Sequence, residues 1–179
     1  MNFKKHIPFH LYLENAIYFV TAGTLNKRKF FDVGEKKGIL KTRLNSACSK
    51  FMVELFAWVI LSNHYHLLFQ FKKNLSLGLG KFIGFINGGS AFDLNKLENK
   101  KGRQIWWNYW DNCIRNEETF YKRFNYIHHN PVKHNHSKNL EDYKFSSYNF
   151  YINKFGSEYI NSIWERYPII DFSDEQDDF

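Results

Sequence analysis

No run of 18 consecutive apolar residues occurs anywhere in this 179-residue chain, which excludes a membrane-spanning helix by length alone. The opening residues, Met1-Asn2-Phe3-Lys4-Lys5-His6, lack the apolar segment that marks a secretory leader. Cysteine is scarce: Cys48 and Cys113 stand far apart and form no CxxC pair, so a reduced, cytoplasmic setting is the expectation. Internal repeats and low-complexity linkers are also missing. A chain of this length without them suits one domain with a real core.

Apolar residues make up 44% of the chain and aromatics 20%, which argues against global disorder. The formal net charge is +7, unevenly spread. Asp171, Asp174, Glu175, Asp177 and Asp178 fall in the last nine residues, so the remaining body holds 25 bases against 13 acids. This acidic tail is expected to be disordered, within a C-terminal extension over residues 156–179 that follows a domain over 1–155. The bases cluster at Lys27-Arg28-Lys29, Lys36-Lys37, Lys72-Lys73 and Lys100-Lys101 with Arg103. Such clusters suit a polyanion-binding surface, and equally an ordinary solvated face.

Residues 16–22 are β-branched and aromatic and predict a first strand. Helical spacing of Ile39, Leu40, Leu44, Ala47, Cys48 and Phe51 predicts a helix over 35–52. The nearly continuous apolar run 54–61 reads as a buried strand, Ser62-Asn63 as a turn, and 64–71 as the second arm of a hairpin. A helix over 75–97 follows, weakened by Gly84, Gly88 and Gly89, then a charged loop and an extended segment over 105–114. Trp106, Trp107, Tyr109 and Trp110 in that segment have few charges among them, so most are expected in the core. Asn116 is placed to cap a last helix over 117–130, with Glu117 and Glu118 in its acidic first turn and Pro131 as its stop. Strand, helix, two strands, helix, strand, helix predicts an α+β fold, a ferredoxin-like sandwich with one antiparallel sheet.

Two short strings carry chemistry. In a strand, His64 and His66 share a face while Tyr65 turns to the other, and two neutral imidazoles at that spacing can hold one divalent cation. Two histidines at a strand end doing structural work would look the same. In Tyr126-Ile127-His128-His129-Asn130-Pro131-Val132-Lys133, Tyr126 and Asn130 are one helical turn apart. Asn130 can give a carbonyl oxygen to that cation with Tyr126 nearby; a core aromatic and a helix-capping amide are the plainer alternatives. Two nitrogens and one amide oxygen leave positions open for phosphate and water, which fits Mg²⁺ or Mn²⁺ at a phosphodiester better than structural zinc. His128 and His129 are expected to point away from the Tyr126/Asn130 face, toward the surface or DNA.

The chain resembles the single-tyrosine HUH transposases, in particular the REP-associated tyrosine transposases of the IS200-like group. His64-Tyr65-His66 matches the His-hydrophobic-His motif, and Tyr126, Ile127, Asn130, Pro131, Val132 and Lys133 match the helix motif. Ala57 to Leu61, Trp110, Ile114-Arg115-Asn116 and Asp142 to Tyr148 add to the likeness, which covers roughly residues 14–150. Ser62 stands where relatives often have proline, Asn135 where glycine is expected, and Tyr143 where a tryptophan is. The resemblance implies a metal-dependent single-stranded DNA endonuclease and strand transferase. Tyr126 would be its nucleophile, forming a 5′-phosphotyrosine, and His64, His66 and Asn130 would hold Mg²⁺ or Mn²⁺. It implies a DNA partner with a REP-like hairpin and either a monomer or a homodimer. Lys27, Arg28, Lys29, Lys100, Lys101 and Arg103 are candidates for gripping that hairpin, and Arg115 and Lys133 for phosphate contacts. The alternative is a transposase-derived protein that binds DNA or RNA hairpins without cleaving them.

Overall fold

The computed structural model describes residues 16–72 and 78–169. The acidic tail, Lys73 and the expected start of the second helix at Leu75 lie outside the described residues. In chain order the elements are β1 (Ile17–Thr24), α1 (Gly34–Lys50), β2 (Val53–Ile60), β3 (His64–Phe71), α2 (Gly78–Leu97), β4 (Trp106–Ile114), α3 (Glu117–Lys133), α4 (Tyr148–Phe155) and α5 (Ser157–Arg166). The strands form one antiparallel sheet in the order β2-β3-β1-β4. This is the ferredoxin-like arrangement expected from the element order; α4 and α5, which the sequence pattern does not predict, are added after it and pack into the core through Tyr148, Ile160 and Ile163.

Period-two alternation divides the sheet between two cores. Tyr18, Val20 and Ala22 of β1 and Tyr65, Leu67 and Phe69 of β3 pack against Leu40 and Leu44 of α1 and Phe82, Ile83 and Ile86 of α2. The other face presents Phe19, Leu68, Ala57 and Val59 to Phe124 and Ile127 of α3 and to Ile160 and Ile163 of α5. Helices therefore cover both faces. Glycine does not break α2: Gly89 leaves room for the Arg43 side chain, and a β-carbon there would come within 2.9 Å of Arg43 Cδ. That opening lets Arg43 of α1 bind Asp93 of α2 in a two-pronged contact at 2.6 and 2.7 Å.

Two expectations need correction. α3 does not stop at Pro131 but runs on to Lys133. Proline forfeits only one helical N–H, and so near the helix end that loss is offset by tight closing bonds. His134 N–H donates to Asn130 O, and His136 and Ser137 N–H both donate to Pro131 O. Asn135, at φ 55°, supplies the left-handed residue that ends the helix. The second correction concerns His128, which is buried in the core at 1% exposure rather than turned to solvent. Asn116 caps α3 as expected, its Oδ1 accepting from Thr119 N–H at 2.8 Å.

The segment after α3 explains how that helix is held. Phe145 and Ser147 add onto the outer edge of β2 through Ile60 N–H to Phe145 O and Ser147 N–H to Trp58 O. From there Ser147 Oγ meets His128 Nε2 at 2.7 Å. One turn earlier on α3, Asn125 Nδ2 donates to Tyr167 O at 2.7 Å, at the end of α5. Two buried polar contacts thus fix the rotation of α3 about its axis, and with it the direction of Tyr126 and Asn130.

Candidate metal and nucleic-acid site

β3 sends His64 and His66 to the face covered by α3, while Tyr65 goes to the opposite core and donates to Asn87 Oδ1 at 2.8 Å. α3 sends Tyr126 and Asn130 down onto the histidines. Asn130 Oδ1 lies 3.4 Å from His64 Nε2, and the two histidine ring centroids are 4.9 Å apart. The Tyr126 ring stands edge-on to His66 at 5.3 Å and to Phe19 at 6.2 Å. His64, His66, Tyr126 and Asn130 are all buried, Asn130 and His66 completely. The four residues singled out in two distant strings form one cluster.

Hydrogen bonds on the outer side of each imidazole set its inner side. Asn63 Nδ2 donates to Lys27 O at 3.3 Å, which turns Asn63 Oδ1 toward His64 Nδ1 at 2.8 Å. His64 Nδ1 must then carry the proton, leaving Nε2 as a bare lone pair facing the carbonyl oxygen of Asn130. Two acceptors facing each other in a buried place call for a cation between them. His66 is anchored in the same manner: its Nδ1 meets Thr21 Oγ1 at 2.7 Å, and its buried Nε2 has no hydrogen-bond partner. An outer bond that fixes ring orientation and an inner nitrogen left open is the usual arrangement of a metal-binding histidine. Among the described residues no three His, Cys, Asp or Glu side chains form a metal-binding group, so the Asn130 amide is needed to complete a three-donor set.

The electrostatics agree. Burial, helped by the neighbouring His134, pushes the His64 pKa down to about 3. Burial and His64 hold His66 well below the usual imidazole range. Both rings are therefore neutral near pH 7, each with one N–H and one lone pair available to a cation. The charges pressing on them are His134, His136, Arg123 and Lys133, all basic. Arg123 lies 4.5 Å over the Phe19 ring, and Lys133 5.1 Å over the Tyr126 ring. The residues present fit a divalent cation facing an anionic substrate.

Comparison with known proteins gives this cluster its context. Residues 13–130 match the family model described as "Transposase IS200 like". The chain belongs to the IS200-like transposase family. It is 25% identical over 146 residues to a protein of Haemophilus influenzae assigned as a REP-associated tyrosine transposase, covering 76% of this chain and 82% of that one. To the REP-associated tyrosine transposase of Escherichia coli it is 24% identical over 149 residues, covering 76% and 79%. A solved structure of a REP-associated tyrosine transposase bound to a REP hairpin has the same fold. Its TM-score is 0.70 at 21% identity, over 83% of this chain and 86% of that one.

The basic residues proposed from the sequence as DNA contacts fall in different places. Lys27, Arg28 and Lys29 are exposed just beyond β1, next to the site: the Lys27 carbonyl is the group that orients Asn63 and so His64. Arg103 joins this cluster, since Arg28 and Arg103 both lie over the Phe30 ring, at 4.8 and 5.0 Å. Arg103 is also tied to Glu98 at 2.5 Å and Asn95 at 3.0 Å, whereas Lys100 and Lys101 are exposed beside it. Lys133 is at the site. Arg115 is not: it follows Ile114, which pairs with Ile17 at the end of β1 remote from Gly23 and His64, about 20 Å along the strand. The expectation that most of the aromatic segment lies in the core is not met: Trp106 is buried, its Nε1 donating to Ser90 Oγ at 3.0 Å, whereas Trp107 is 52% exposed and Tyr109 and Trp110 are half-buried on the edge strand β4.

Four participants escape a reading of the motifs alone. Thr21 and Asn63 orient the histidines; Thr21 becomes visible only through the β1–β3 register, in which it faces His66. Arg123 and His134 flank the site on α3 and at its end. His134, whose ring is 5.1 Å from that of His64, is four residues beyond Asn130, and the assumption that Pro131 ends the helix hides this periodicity.

Proposed function

We propose that this protein is a metal-dependent single-stranded DNA endonuclease and strand transferase acting beside DNA hairpins. The observation that carries the reading is the convergence of the inner imidazole nitrogens of His64 and His66 from β3 and the Asn130 carbonyl oxygen from α3, with the Tyr126 phenol against the His66 ring. His64, His66 and Asn130 would hold Mg²⁺ or Mn²⁺, which when bound supplies Lewis-acid polarisation of the scissile phosphate. The Tyr126 oxygen attacks phosphorus and loses its proton to solvent. The P–O3′ bond breaks, and the departing 3′-oxygen gains a proton, giving a 5′-phosphotyrosyl protein and a free 3′-OH. Attack by a 3′-OH on that link rejoins DNA without an external energy source. Lys133, whose ammonium lies over the Tyr126 ring, would meet the phosphate negative charge.

The hairpin partner rests on family membership together with the basic rim from Lys27 to Arg103. Tyr126 is only 2% exposed, so strand attack requires α3 or the segment after it to shift and open the phenol to DNA. That burial is also what a silent hairpin-binding descendant would show. The separating experiment incubates the full chain with stem-loop DNA carrying single-stranded flanks and Mn²⁺, and looks for a covalent protein–DNA adduct on a denaturing gel. The expected result is an adduct from the wild type and none from Tyr126→Phe. Hairpin binding with no adduct on any flanked stem-loop would establish the silent binder instead. Activity that survives Tyr126→Phe but not His64→Ala would point to a phosphoesterase using activated water.

A further inference from the structure

We infer that the groove at the C-terminal end of α2 is a second nucleic-acid subsite. In it the Phe92 ring stacks on an unpaired base of single-stranded DNA while Lys96 and Lys101 hold the neighbouring phosphates. The inference rests on the DNA-processing reading above and adds to it a site on the opposite layer of the sheet from the histidines.

Phe92 is 67% exposed, the highest value for a large apolar side chain among the described residues. It lines an open groove of about 530 Å³ with Asn95, Lys96, Asn99, Lys101 and Gly102. The far wall is a built loop rather than a loose one. Lys100 N–H donates to Asn95 O, Asn95 Nδ2 donates to Arg103 O at 2.7 Å, and Arg103 Nε donates to Asn95 Oδ1 at 3.0 Å. Asn99 and Gly102 take the left-handed backbone, φ 52° and 75°, that the tight turns require. An aromatic ring held in water beside a preformed concavity is poised for a flat partner.

Charge decides which flat partner. Glu98, the carboxylate of this loop, is taken by Lys36 at 2.8 Å and Arg103 at 2.5 Å. Among the described residues Lys96, Lys100 and Lys101 make no ion pair, so the available charge around the groove is positive. A planar, apolar face combined with negative charge is the chemistry of a nucleotide, and aromatic platforms in basic grooves are how single strands are held without sequence reading. Position supports the same occupant. From His64 the path runs through Asn63 to Lys27, along the turn to Arg28, across Phe30 to Arg103, and through Asn95 into the groove. A strand leaving the candidate cleavage site along this basic rim arrives at Phe92.

The test measures binding of a fluorescent oligothymidine of about 20 nucleotides, and of a stem-loop with single-stranded flanks, to the full chain by anisotropy. Phe92→Ala is expected to weaken both by about tenfold with the melting temperature unchanged, and Phe92→Tyr to restore binding. Lys96→Gln combined with Lys101→Gln should flatten the salt dependence of log affinity by about 1.4, the loss of two phosphate contacts on a single strand. Wild-type affinity in Phe92→Ala, with adduct formation at Tyr126 intact, overturns the subsite and leaves the DNA-cleaving reading standing. Neither binding nor adduct in the wild type overturns both. A Phe92→Ala variant that binds DNA normally but changes oligomeric state identifies the groove as a contact between copies and overturns the subsite.

Discussion

Asn130 is fully buried, yet its amide nitrogen has no acceptor and its oxygen faces a bare imidazole nitrogen. Leaving such a group unsatisfied costs about 1–3 kcal/mol, a cost that stability alone does not explain and that cation binding would offset. Calorimetric titration with Mn²⁺ is therefore expected to show affinity lowered at least tenfold in Asn130→Ala, with little change in the melting temperature of the metal-free protein. Thr21→Val, which removes the hydroxyl that aims His66, should lower Mn²⁺ affinity by about tenfold without touching a ligand. Wild-type affinity in Asn130→Ala would remove the amide from the donor set. At this scale the sequence is explicit about Tyr126 and Asn130, because i and i+4 spacing forces adjacency on any helix. It is silent about Thr21, whose partner His66 is 45 residues away.

α3 is held at two points one turn apart, by His128 to Ser147 and by Asn125 to the end of α5. Burial pushes the His128 pKa down to about 3, against roughly 6.5 for an unfolded histidine. A histidine depressed on folding contributes stability that is complete above pH 6.5 and lost as pH falls, because only the unfolded chain then takes up the proton. Each unit below that point removes about 1.4 kcal/mol for this group. His128→Gln in EDTA-treated protein should be less stable than wild type at pH 7. Its loss of stability between pH 7 and pH 5 should be about 2 kcal/mol smaller, as read by urea unfolding at the two pH values. An unchanged pH slope would mean that His128 is not the titrating group. The sequence marks where α3 begins, through Asn116 and two acids, but misplaces its end. A proline prohibition is a statement about one N–H, and the closing bonds that make the breach tolerable come from residues 134–137 folding back.

The whole molecule brings its candidate ligands together from a strand and a helix, His64 and Asn130 being 66 residues apart in the chain. A cation bridging them links those two elements in the native state and has no comparable site in the unfolded chain. On the proposed reading, Mn²⁺ at about a hundred times its dissociation constant should raise stability by about 2.7 kcal/mol. That corresponds to roughly 5–10 °C in melting temperature for a chain of this size. EDTA should reverse the shift, and His66→Ala should abolish it. No helix among the described residues is long and apolar enough to cross a membrane, in keeping with the missing apolar runs.

The sequence by itself determined the order of elements as far as α3, the antiparallel sheet and the facing of His64 with His66 and of Tyr126 with Asn130, but carried no sign of α4 and α5. These follow from periods of 2 and 3.6 and from the ban on apolar exposure, which are local rules. Only the tertiary structure decided which imidazole nitrogens face the site, that His128 is a core latch and that Lys133 and His134 reach the site. It alone joined the two basic clusters across Phe30 and left Phe92 in the open. Those outcomes depend on the strand register and on the rotation of α3, both set by contacts between residues distant in the chain, and no local pattern encodes them.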